Sequence, residues 1–216
     1  MSSLPPTVAV IDYGAGNLRS VAKALERSGL RTRVTDDPAR LRDADSIVLP
    51  GAGAFADATE GLRARGLDGA VRDHIGSGRP FLGLCLGLQL LFEESDEHRV
   101  TPGLGLLRGR VERFPDRDPD GTLLRVPHIG WNEVRFSGQH PMVDRLPDAD
   151  TFYFVHGYRA VAADPKRVIG RTSYGGEFAS AVAVDNVFAV QFHPEKSQSA
   201  GKRLLDAYRA WLEACL

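Results

Sequence analysis

Residues 79–94 read RPFLGLCLGLQLLFEE, and this stretch decides how the chain can fold. An apolar run ends at Gly83, Cys85 follows, and a second glycine precedes residues that favour a helix, Leu88 to Glu94. The pattern predicts a buried strand that turns sharply into a helix, as in a nucleophile elbow with sulfur in place of a serine hydroxyl. The flanking glycines remove Cβ atoms that would clash in such a turn. Free N–H groups at the start of the helix favour the thiolate form of the cysteine.

The elbow pattern alone leaves two interpretations of Cys85. Most free cysteines are small buried hydrophobes. The chain also contains 23 glycines, so a G-x-C-x-G pentapeptide can arise by chance. The remainder of the sequence has to decide between a structural and a catalytic cysteine.

Composition limits the class of protein. With 216 residues the chain can build one sizeable α/β domain, and we expect a single domain over residues 1–216. Hydrophobic residues make up 43% and charged residues 25%, as in soluble globular proteins. The formal net charge of −1 disfavours nucleic acid or an anionic membrane as the main partner, because both would select a basic excess.

Cysteine usage and the N-terminus predict a cytoplasmic protein. Cys85 and Cys215 are too few for a disulfide framework, which favours a reducing compartment. The apolar run Val8–Ile11 is too short for a signal peptide and no basic segment precedes it. No apolar run approaches the ~18 residues that a membrane span needs.

Strands and helices alternate over the first half of the chain. Helical spacing predicts a helix from Leu18 to Leu25, stopped by Gly29, and another over approximately Leu62 to Ile75. This alternation predicts a parallel sheet with right-handed crossovers. The short β-type runs are Val8–Ile11, Arg31–Thr35, Ser46–Leu49 and the run that ends at Gly83.

Two loops in this half are rich in glycine. Asp12–Asn17 follows the first strand, but Arg19 stands where a dinucleotide fingerprint needs its third glycine, so a close-packed turn is favoured over a nucleotide site. Pro50–Phe55 follows the strand at Ser46–Leu49. A loop in that position can present backbone N–H groups to an anion as an oxyanion hole, although an ordinary strand-to-helix turn has the same composition.

The second half is rich in strands and is expected to be partly antiparallel. Gly105–Phe114 is predicted to be one strand and Leu123–Val126 its partner, joined through a turn at Asp118–Gly121. A closing amphipathic helix is predicted over Ser199–Leu212. The other predicted strands are Trp131–Phe136, Thr151–Val155, Val168–Thr172, Ala181–Val184 and Val187–Phe192.

Among the six histidines, His193 stands out because Pro194 and Glu195 follow it directly. Proline disfavours helical geometry at the residue before it, and in extended chain residues two apart point to the same side. The carboxylate could then orient the imidazole as a base for a nucleophile, and Cys85 is the candidate. His74 and His98 are expected at the surface. No spacing typical of zinc ligands occurs, so no metal is expected.

Together these motifs resemble the class I glutamine amidotransferases, in particular the glutaminase subunits of imidazole glycerol phosphate synthase. The resemblance implies a three-layer, flavodoxin-like α/β fold with a central, mostly parallel sheet and an added antiparallel β segment in the second half. The matching segments run in the expected order and are Tyr13–Asn17, Pro50–Phe55, Gly83–Gly87 with Gln89, Leu90–Ser95, Pro127–Asn132, Tyr153–His156 and Gln191–Ser197.

The resemblance implies a catalytic role for three of these residues. Cys85 would attack the side-chain amide of glutamine, His193 would take and return protons, and Glu195 would orient the imidazole. A γ-glutamyl thioester would form, ammonia would leave, and water would then release glutamate. The oxyanion would be held by the N–H of Leu86 and by one from the loop Gly51-Ala52-Gly53, and such a donor contributes roughly 3 kcal/mol.

The resemblance also implies how the amino-acid end of glutamine is bound. Gln89 and Glu97 match substrate-binding positions, and a carboxylate suits the substrate's ammonium group. Gly157 and Tyr158 match a backbone contact to the same end. The family commonly has a hydroxyl residue where Gly157 stands, so a side-chain hydrogen bond at that position is lost while backbone contacts persist.

A partner is the last implication of the resemblance. It is a (β/α)₈-barrel cyclase subunit that receives the ammonia, forms a heterodimer with this chain and binds the phosphorylated substrate, since the chain has no Walker motif. No cofactor is expected. Trp131 has an alternative interpretation as a buried core aromatic. The residues matched to the partner interface are Asn17, Trp131, Asn132, Tyr153 and Lys196.

Other functions remain open at the level of sequence. A free-standing thiol hydrolase, such as a γ-glutamyl peptidase, could use the same elbow and His-Pro-Glu segment. A catalytically inactive regulatory module is disfavoured by the intact set Cys85, His193 and Glu195. Another synthase partner, such as that of an anthranilate synthase, gains no support from Pro127–Asn132.

Overall fold

A computed structural model describes residues 4–216, and its strands join into one mixed sheet. Within those residues, no helix has both the length and the apolar character needed to cross a membrane. The helices are α1 (Leu18–Arg27), α2 (Pro38–Arg42), α3 (Phe55–Ala64), α4 (Leu67–Gly76), α5 (Leu86–Gln89) and α6 (Gln198–Cys215). The strands are β1 (Thr7–Ile11), β2 (Arg31–Thr35), β3 (Ser46–Leu49), β4 (Phe81–Leu84), β5 (Phe92–Ser95), β6 (Thr101–Pro102), β7 (Leu107–Arg113), β8 (His128–Phe136), β9 (Ala149–His156), β10 (Tyr158–Ala162), β11 (Val168–Ser173), β12 (Glu177–Val184) and β13 (Val187–Val190).

Five parallel strands form the part of the sheet that carries the elbow. Their spatial order is β2-β1-β3-β4-β13, and each neighbouring pair is parallel. This is the flavodoxin-like order, with the direction of winding reversing at β1 and β3. The carboxyl ends of β1, β3, β4 and β13 therefore meet at one edge, where open α/β sheets bind their ligands. The predicted fold class is confirmed.

An antiparallel section extends the sheet beyond β13. β12 pairs with β13, β10 pairs with β12 and β7, and β5 then joins β7 in parallel. A second branch runs from β12 through β11 to β8 and β9. β8 and β9 pair over eight positions, from His128 opposite His156 to Arg135 opposite Ala149. This branch carries the segments Pro127–Asn132 and Tyr153–His156 together to the same end of the molecule.

The hydrophobic core lies on both faces of the sheet. Alternation along β1 divides its side chains, so that Val8 and Val10 pack in one cluster and Ala9 and Ile11 in the other. The first cluster includes the buried face of α6, with Leu204, Leu205, Tyr208 and Leu212 as predicted. The second includes the buried residues of α3 and α4. Helices thus cover both faces of the parallel strands.

Two helix predictions are wrong in their extent. The helix predicted over Leu62–Ile75 is two helices, α3 and α4, because Gly66 adopts the left-handed region at φ 66° and interrupts the chain. The helix after Cys85 was predicted to run to Glu94, but it ends after one turn at Gln89. Phe92–Ser95 is strand β5 instead, because pairing with β7 and β6 outweighs its helical propensity.

The strand predicted at Leu123–Val126 does not form. Leu123 makes only an isolated bridge to Arg117 and its side chain is exposed. Both edges of β7 are already paired, with β5 on one side and β10 on the other, so no edge is left for a hairpin partner. The turn at Asp118–Gly121 is present, with the Gly121 N–H donating to the carbonyl of Asp118 at 2.9 Å.

The prediction that His74 lies at the surface is also wrong. Its side chain is fully buried on the inner face of α4, and Nε2 lies 3.1 Å from the carbonyl oxygen of Pro80. Burial lowers the pKa of His74, which keeps the imidazole neutral. His74 therefore belongs to the packing between α4 and the segment that leads into β4. His98 is exposed as expected.

Candidate active site

The elbow is a strained turn between β4 and α5. Cys85 itself carries the unusual backbone conformation, at φ 52° and ψ −107°. Its N–H donates to the carbonyl of Val190 at 2.7 Å, which ties the turn to the end of β13. A residue other than glycine costs of order 1–3 kcal/mol in such a conformation, and sites of this kind are enriched at functional positions. The predicted strand-turn-helix geometry is confirmed.

The glycines of the elbow are required by close approach of neighbouring chain. A Cβ atom on Gly87 would collide with the carbonyl of Leu49, and one on Gly83 would lie 2.9 Å from the carbonyl oxygen of Gly87. Gly51 is held equally tightly against Leu86 and the N–H of Gly87. The loop after β3 therefore lies directly on the first turn of α5. This contact brings the Gly51-Ala52-Gly53 loop and Leu86, the residues predicted to form an oxyanion hole, to the same place.

Tyr13, at the end of β1, supports this loop from below. The phenol is buried, and burial raises the pKa of Tyr13 to about 12, an effect that the neighbouring Ala52 backbone partly offsets. Its hydroxyl has no hydrogen-bond partner among residues 4–216. Tyr13 thus stays neutral beside the loop at any physiological pH.

His193 and Glu195 form the closest polar pair of the site. The imidazole Nδ1 lies 2.8 Å from Glu195 Oε1, and both side chains are almost completely buried. The prediction that an extended chain brings them together is wrong in mechanism, because Pro194–Lys196 forms a 3₁₀ turn after an extended His193. Two hydrogen bonds fix this segment: His193 N–H donates to the Tyr153 carbonyl at 2.9 Å, and Ser197 Oγ donates to the His193 carbonyl at 2.6 Å.

The surroundings of His193 favour its charged form. Burial lowers the pKa of the imidazole, but hydrogen bonds and charges from Cys85 and Glu195 outweigh burial and raise the pKa to about 10. An imidazolium between a sulfur and a carboxylate can stabilise a thiolate and can supply a proton to a leaving group. The Nδ1 contact with Glu195 leaves Nε2 as the nitrogen available for that chemistry.

Cys85 and His193 open into a cavity of about 410 Å³, whereas Glu195 lies behind the imidazole and does not line it. The predicted oxyanion residues and all four predicted substrate-binding residues line this cavity, and so does Lys196, which was predicted to face the partner. The lining residues are Gly51, Ala52, Gly53, Cys85, Leu86, Gln89, Glu97, Pro127, Val155, His156, Gly157, Tyr158, His193 and Lys196.

The predicted substrate-binding side chains have specific orientations. Gln89 Nε2 donates to the carbonyl of Tyr158 and to Gln191 Oε1, each at 3.0 Å, so its amide oxygen is the atom left for a ligand. Glu97 Oε2 accepts from the Phe55 N–H at 2.6 Å, which holds the carboxylate at the mouth of the cavity. Gly157 leaves open space, since the nearest atom to a built Cβ is Val126 Cγ1 at 3.7 Å.

A surface beside the cavity carries exposed aromatic and basic side chains. Trp131 is 49% exposed, which removes the alternative that it is a core residue, and its ring meets that of Tyr153 edge to face at 6.0 Å. Lys196 Nζ lies 5.8 Å from the centre of the Tyr153 ring. We call Trp131, Tyr153 and Lys196 the aromatic patch. Asn17 is exposed at the start of α1, which packs against Pro194–Lys196.

Asn132 differs from the other residues predicted at the partner interface. Its Nδ2 lies 3.3 Å from His128 Nε2 and donates to the Ser173 carbonyl at 3.1 Å. Its Oδ1 accepts from the Glu133 N–H at 2.8 Å. Both ends of the amide are thus engaged within the chain, and Asn132 connects the surface of β8 to a buried histidine.

Sequence reasoning missed that histidine and its neighbour. His128 Nδ1 lies 3.1 Å from His156 Nε2, and His156 Nδ1 lies 2.8 Å from the carbonyl of Tyr158. Burial lowers the pKa of His128 to about 4 and that of His156 to about 3. The pair depends on the register of β8 and β9, with 28 residues between the two positions, and no local pattern reports such a register.

Among residues 4–216, no group of three or more histidine, cysteine or acidic side chains could hold a metal ion. The polar groups of the cavity are therefore arranged around the sulfur and the imidazole. Their chemistry is that of an activated thiol with a general acid and base.

Comparisons with known proteins agree on one family. Residues 9–208 match the family described as glutamine amidotransferase class-I. The subunit HisH of imidazole glycerol phosphate synthase from Aromatoleum aromaticum is 51% identical over 94% of this chain and 98% of its own length. HisH from Syntrophotalea carbinolica is 50% identical over 92% of this chain and 97% of its own length.

Solved structures extend the likeness in fold. PurLQS from Thermotoga maritima superimposes with a TM-score of 0.75 at 22% identity, covering 96% of this chain and 99% of that one. A GMP synthase subunit from Thermoplasma acidophilum, described as putative in its title, gives a TM-score of 0.71 at 18% identity over 99% of this chain and 97% of that one. At these identities the likeness concerns the fold alone.

Proposed function

The chain belongs to the class-I glutamine amidotransferase family, and we propose that it is the glutaminase subunit of an imidazole glycerol phosphate synthase that acts through Cys85, His193 and Glu195. It hydrolyses glutamine to glutamate and ammonia in the cytoplasm. The ammonia passes to a cyclase subunit, which forms imidazole glycerol phosphate and AICAR in histidine biosynthesis. The observation that carries the proposal is the 2.8 Å contact between His193 and Glu195 beside a strained elbow cysteine.

Acylation begins from a thiolate and an imidazolium. The raised pKa of His193 supports this ion pair at neutral pH. The Cys85 thiolate attacks the γ-carbonyl carbon of glutamine, a C–S bond forms, and negative charge moves to the carbonyl oxygen. His193 gives its proton to the amide nitrogen, the C–N bond breaks, and ammonia leaves. The product is a γ-glutamyl thioester on Cys85.

Deacylation uses the same groups in reverse order. Neutral His193 removes a proton from water, and the hydroxide attacks the thioester carbonyl. The C–S bond then breaks, which releases glutamate and restores the thiolate and the imidazolium. Glu195 keeps Nδ1 protonated and the ring in place through both half-reactions, because its Oε1 accepts from Nδ1.

The cavity offers donors for the oxyanion and groups for the amino-acid end of glutamine. Leu86 N–H and one N–H of the Gly51-Ala52-Gly53 loop lie where the strand end meets the first turn of α5, and we assign them to the oxyanion. Glu97 pairs with the substrate's ammonium group. The free amide oxygen of Gln89 accepts from the same group, and the Gly157–Tyr158 backbone completes the pocket.

The partner is the cyclase subunit HisF, which we infer to be a (β/α)₈ barrel that binds the phosphorylated intermediate. The aromatic patch and Asn17 lie beside the cavity and form the docking surface, with Trp131 as its central aromatic. Asn132 supports this surface from inside β8. Ammonia made at Cys85 then has a short route across the interface.

Substitution of the nucleophile tests the proposal. Cys85→Ala in the complex is expected to abolish synthesis with glutamine while synthesis with ammonium salts persists. Cys215→Ala is the matched control, since Cys215 is exposed at the end of α6, and it should leave both activities intact. Glutamine-dependent synthesis by the Cys85 variant would contradict the assigned nucleophile. Loss of ammonium-dependent synthesis as well would contradict the transfer of ammonia to a partner.

A further inference from the structure

A glutamine side chain outside the triad lies against the reacting sulfur. Gln191 Nε2 is 3.6 Å from Cys85 Sγ, within the distance of a hydrogen bond to sulfur. The residue is completely buried directly after β13, and its own N–H donates to the Ser180 carbonyl at 2.9 Å. The mechanism above gives Gln191 no part. A buried primary amide is costly unless its donors and acceptor are used, so the contact with sulfur calls for an explanation.

The hydrogen-bond partners settle which end of the amide faces the sulfur. The carbonyl of Tyr158 can only accept, so the Gln89 atom that lies 3.0 Å from it is the amide nitrogen. The same nitrogen lies 3.0 Å from the Gln191 amide, and the Gln191 atom there must therefore be the oxygen. The other end of Gln191, its NH₂ group, then points at Cys85.

The anchor of this chain of amides is itself fixed. The Tyr158 carbonyl also accepts from His156 Nδ1 at 2.8 Å, so both of its lone pairs are occupied. His156 Nε2 is engaged by His128 Nδ1 on its other side. Burial lowers the pKa of His156 to about 3, which keeps this imidazole neutral and its hydrogen bonds unchanged at neutral pH. The direction of the Gln191 amide is thus determined by groups that do not titrate in the working range.

We propose that Gln191 is a catalytic residue of this site, whose Nε2–H donates to the Cys85 thiolate. The inference rests on the proposed glutaminase function and adds a donor to its machinery. No proton is transferred from the amide. The hydrogen bond is strongest when sulfur carries the full negative charge, before attack and again after the C–S bond of the thioester breaks. Gln191 therefore favours the thiolate in the resting enzyme and favours sulfur as the leaving group in deacylation.

The pH dependence of thiol alkylation tests this hydrogen bond without reliance on turnover. Iodoacetamide reacts with the thiolate, and mass spectrometry of the peptides reports Cys85 and Cys215 separately. In Gln191→Met, which keeps a similar volume without a donor, the pH of half-maximal alkylation of Cys85 should rise by about one unit, the effect of one hydrogen bond to an anion. Cys215 is exposed at the end of α6 and should keep its profile, which provides an internal control.

A second variant and a measurement on the unsubstituted chain cover the case in which Gln191→Met fails to fold. Gln191→Glu keeps the oxygen that accepts from Gln89 but replaces the donor with a second oxygen, so a rise at least as large is expected. In the unsubstituted protein, the side-chain amide proton signals of Gln191 in NMR should shift over the pH range in which Cys85 becomes reactive. A folded variant with the parental Cys85 profile, or Gln191 signals that ignore this range, would overturn the assignment.

These outcomes separate the inference from the proposed function. If glutamine hydrolysis depends on Cys85 while the alkylation profile ignores Gln191, only the hydrogen-bond assignment is wrong. If the alkylation profile shifts as expected while glutamine is not hydrolysed, Gln191 tunes a thiol of another reaction and the proposed function is wrong.

Discussion

Replacing Glu195 by glutamine removes one negative charge from the site while preserving its shape. Glu195 Oε1 accepts from His193 Nδ1 at 2.8 Å, and the carboxylate is only 3% exposed. Its second oxygen is buried without a partner among residues 4–216. In Glu195→Gln the amide oxygen can still accept from Nδ1, but the charge that stabilises the imidazolium is gone.

The size of the effect follows from the state of His193. Its pKa lies near 10 instead of 6.5 because the contributions of Cys85 and Glu195 outweigh burial. Loss of the Glu195 charge should lower it by roughly 1–2 units. The imidazolium is then less available to protonate the departing nitrogen, and kcat/KM for glutamine should fall on the order of 100-fold, or about 3 kcal/mol of barrier.

The same change alters stability with pH. Because the folded pKa of His193 is raised, its contribution to the free energy of unfolding is complete below pH 6.5 and is lost as pH rises through about 10. In Glu195→Gln that loss should begin and end at lower pH. Urea unfolding between neutral pH and pH 10 measures the difference.

The assay combines glutamate release with an NMR titration of the His193 ring, both on the complex with the cyclase subunit. Glu213→Gln is the matched control, because Glu213 forms an exposed pair with Arg209 on α6 at 2.7 Å. The control should retain parental activity and an unchanged His193 titration. If Glu195→Gln hydrolyses glutamine at the parental rate, or if its His193 titrates as in the parent, the proposed role of Glu195 is refuted.

Three further predictions concern the fold and the surface. Gly87→Ala should prevent folding or cost at least about 3 kcal/mol, since its Cβ would enter backbone, whereas Gly69→Ala on the open face of α4 should stabilise by about 0.5–1 kcal/mol; urea titrations compare the two. Because burial lowers the pKa values of His128 and His156 to about 4 and 3, stability should fall below pH 6.5 by up to about 1 kcal/mol per pH unit for each histidine; a flat profile between pH 6.5 and 4.5 would contradict this. Trp131→Ala should leave the melting temperature unchanged but weaken binding of the cyclase subunit at least about tenfold by calorimetry, and undiminished affinity would place the interface elsewhere.

Local sequence patterns sufficed for the parallel part of the sheet. β1, β2 and β3 appear as short apolar or β-branched runs next to glycine-rich turns, and the structure confirms them. The elbow at Cys85 was also recognisable, because close packing against Leu49 permits only glycine at position 87. Such features are encoded within a few residues, so a single sequence reveals them.

Features that depend on contacts between distant segments were not predictable. Phe92–Ser95 has helical composition, yet it is a strand because β7 offers an edge for pairing. His74 looked like a surface residue of an amphipathic helix, and only the packed fold shows that its ring meets the Pro80 carbonyl. The break at Gly66 did have a local signal, since glycine is the residue that most readily adopts positive φ.

The candidate site divides along the same line. Cys85, His193 and Glu195 could be selected by residue type and short spacing, and the structure places them together, although their roles stay a prediction. Gln191 and the His128–His156 pair had no such signal. Their importance arises from hydrogen bonds that cross between strands separated in sequence, and these exist only once the register of β8 and β9 is set.

The central claim is that Cys85 produces ammonia for a neighbouring subunit. Glutamate release should therefore be measured for this chain alone and in the presence of the cyclase subunit with its nucleotide ligand. The account predicts slow release by the lone chain and a large acceleration in the liganded complex, with both rates abolished by Cys85→Ala. Rapid release by the lone chain that the partner does not change would contradict it and would identify a free-standing thiol hydrolase.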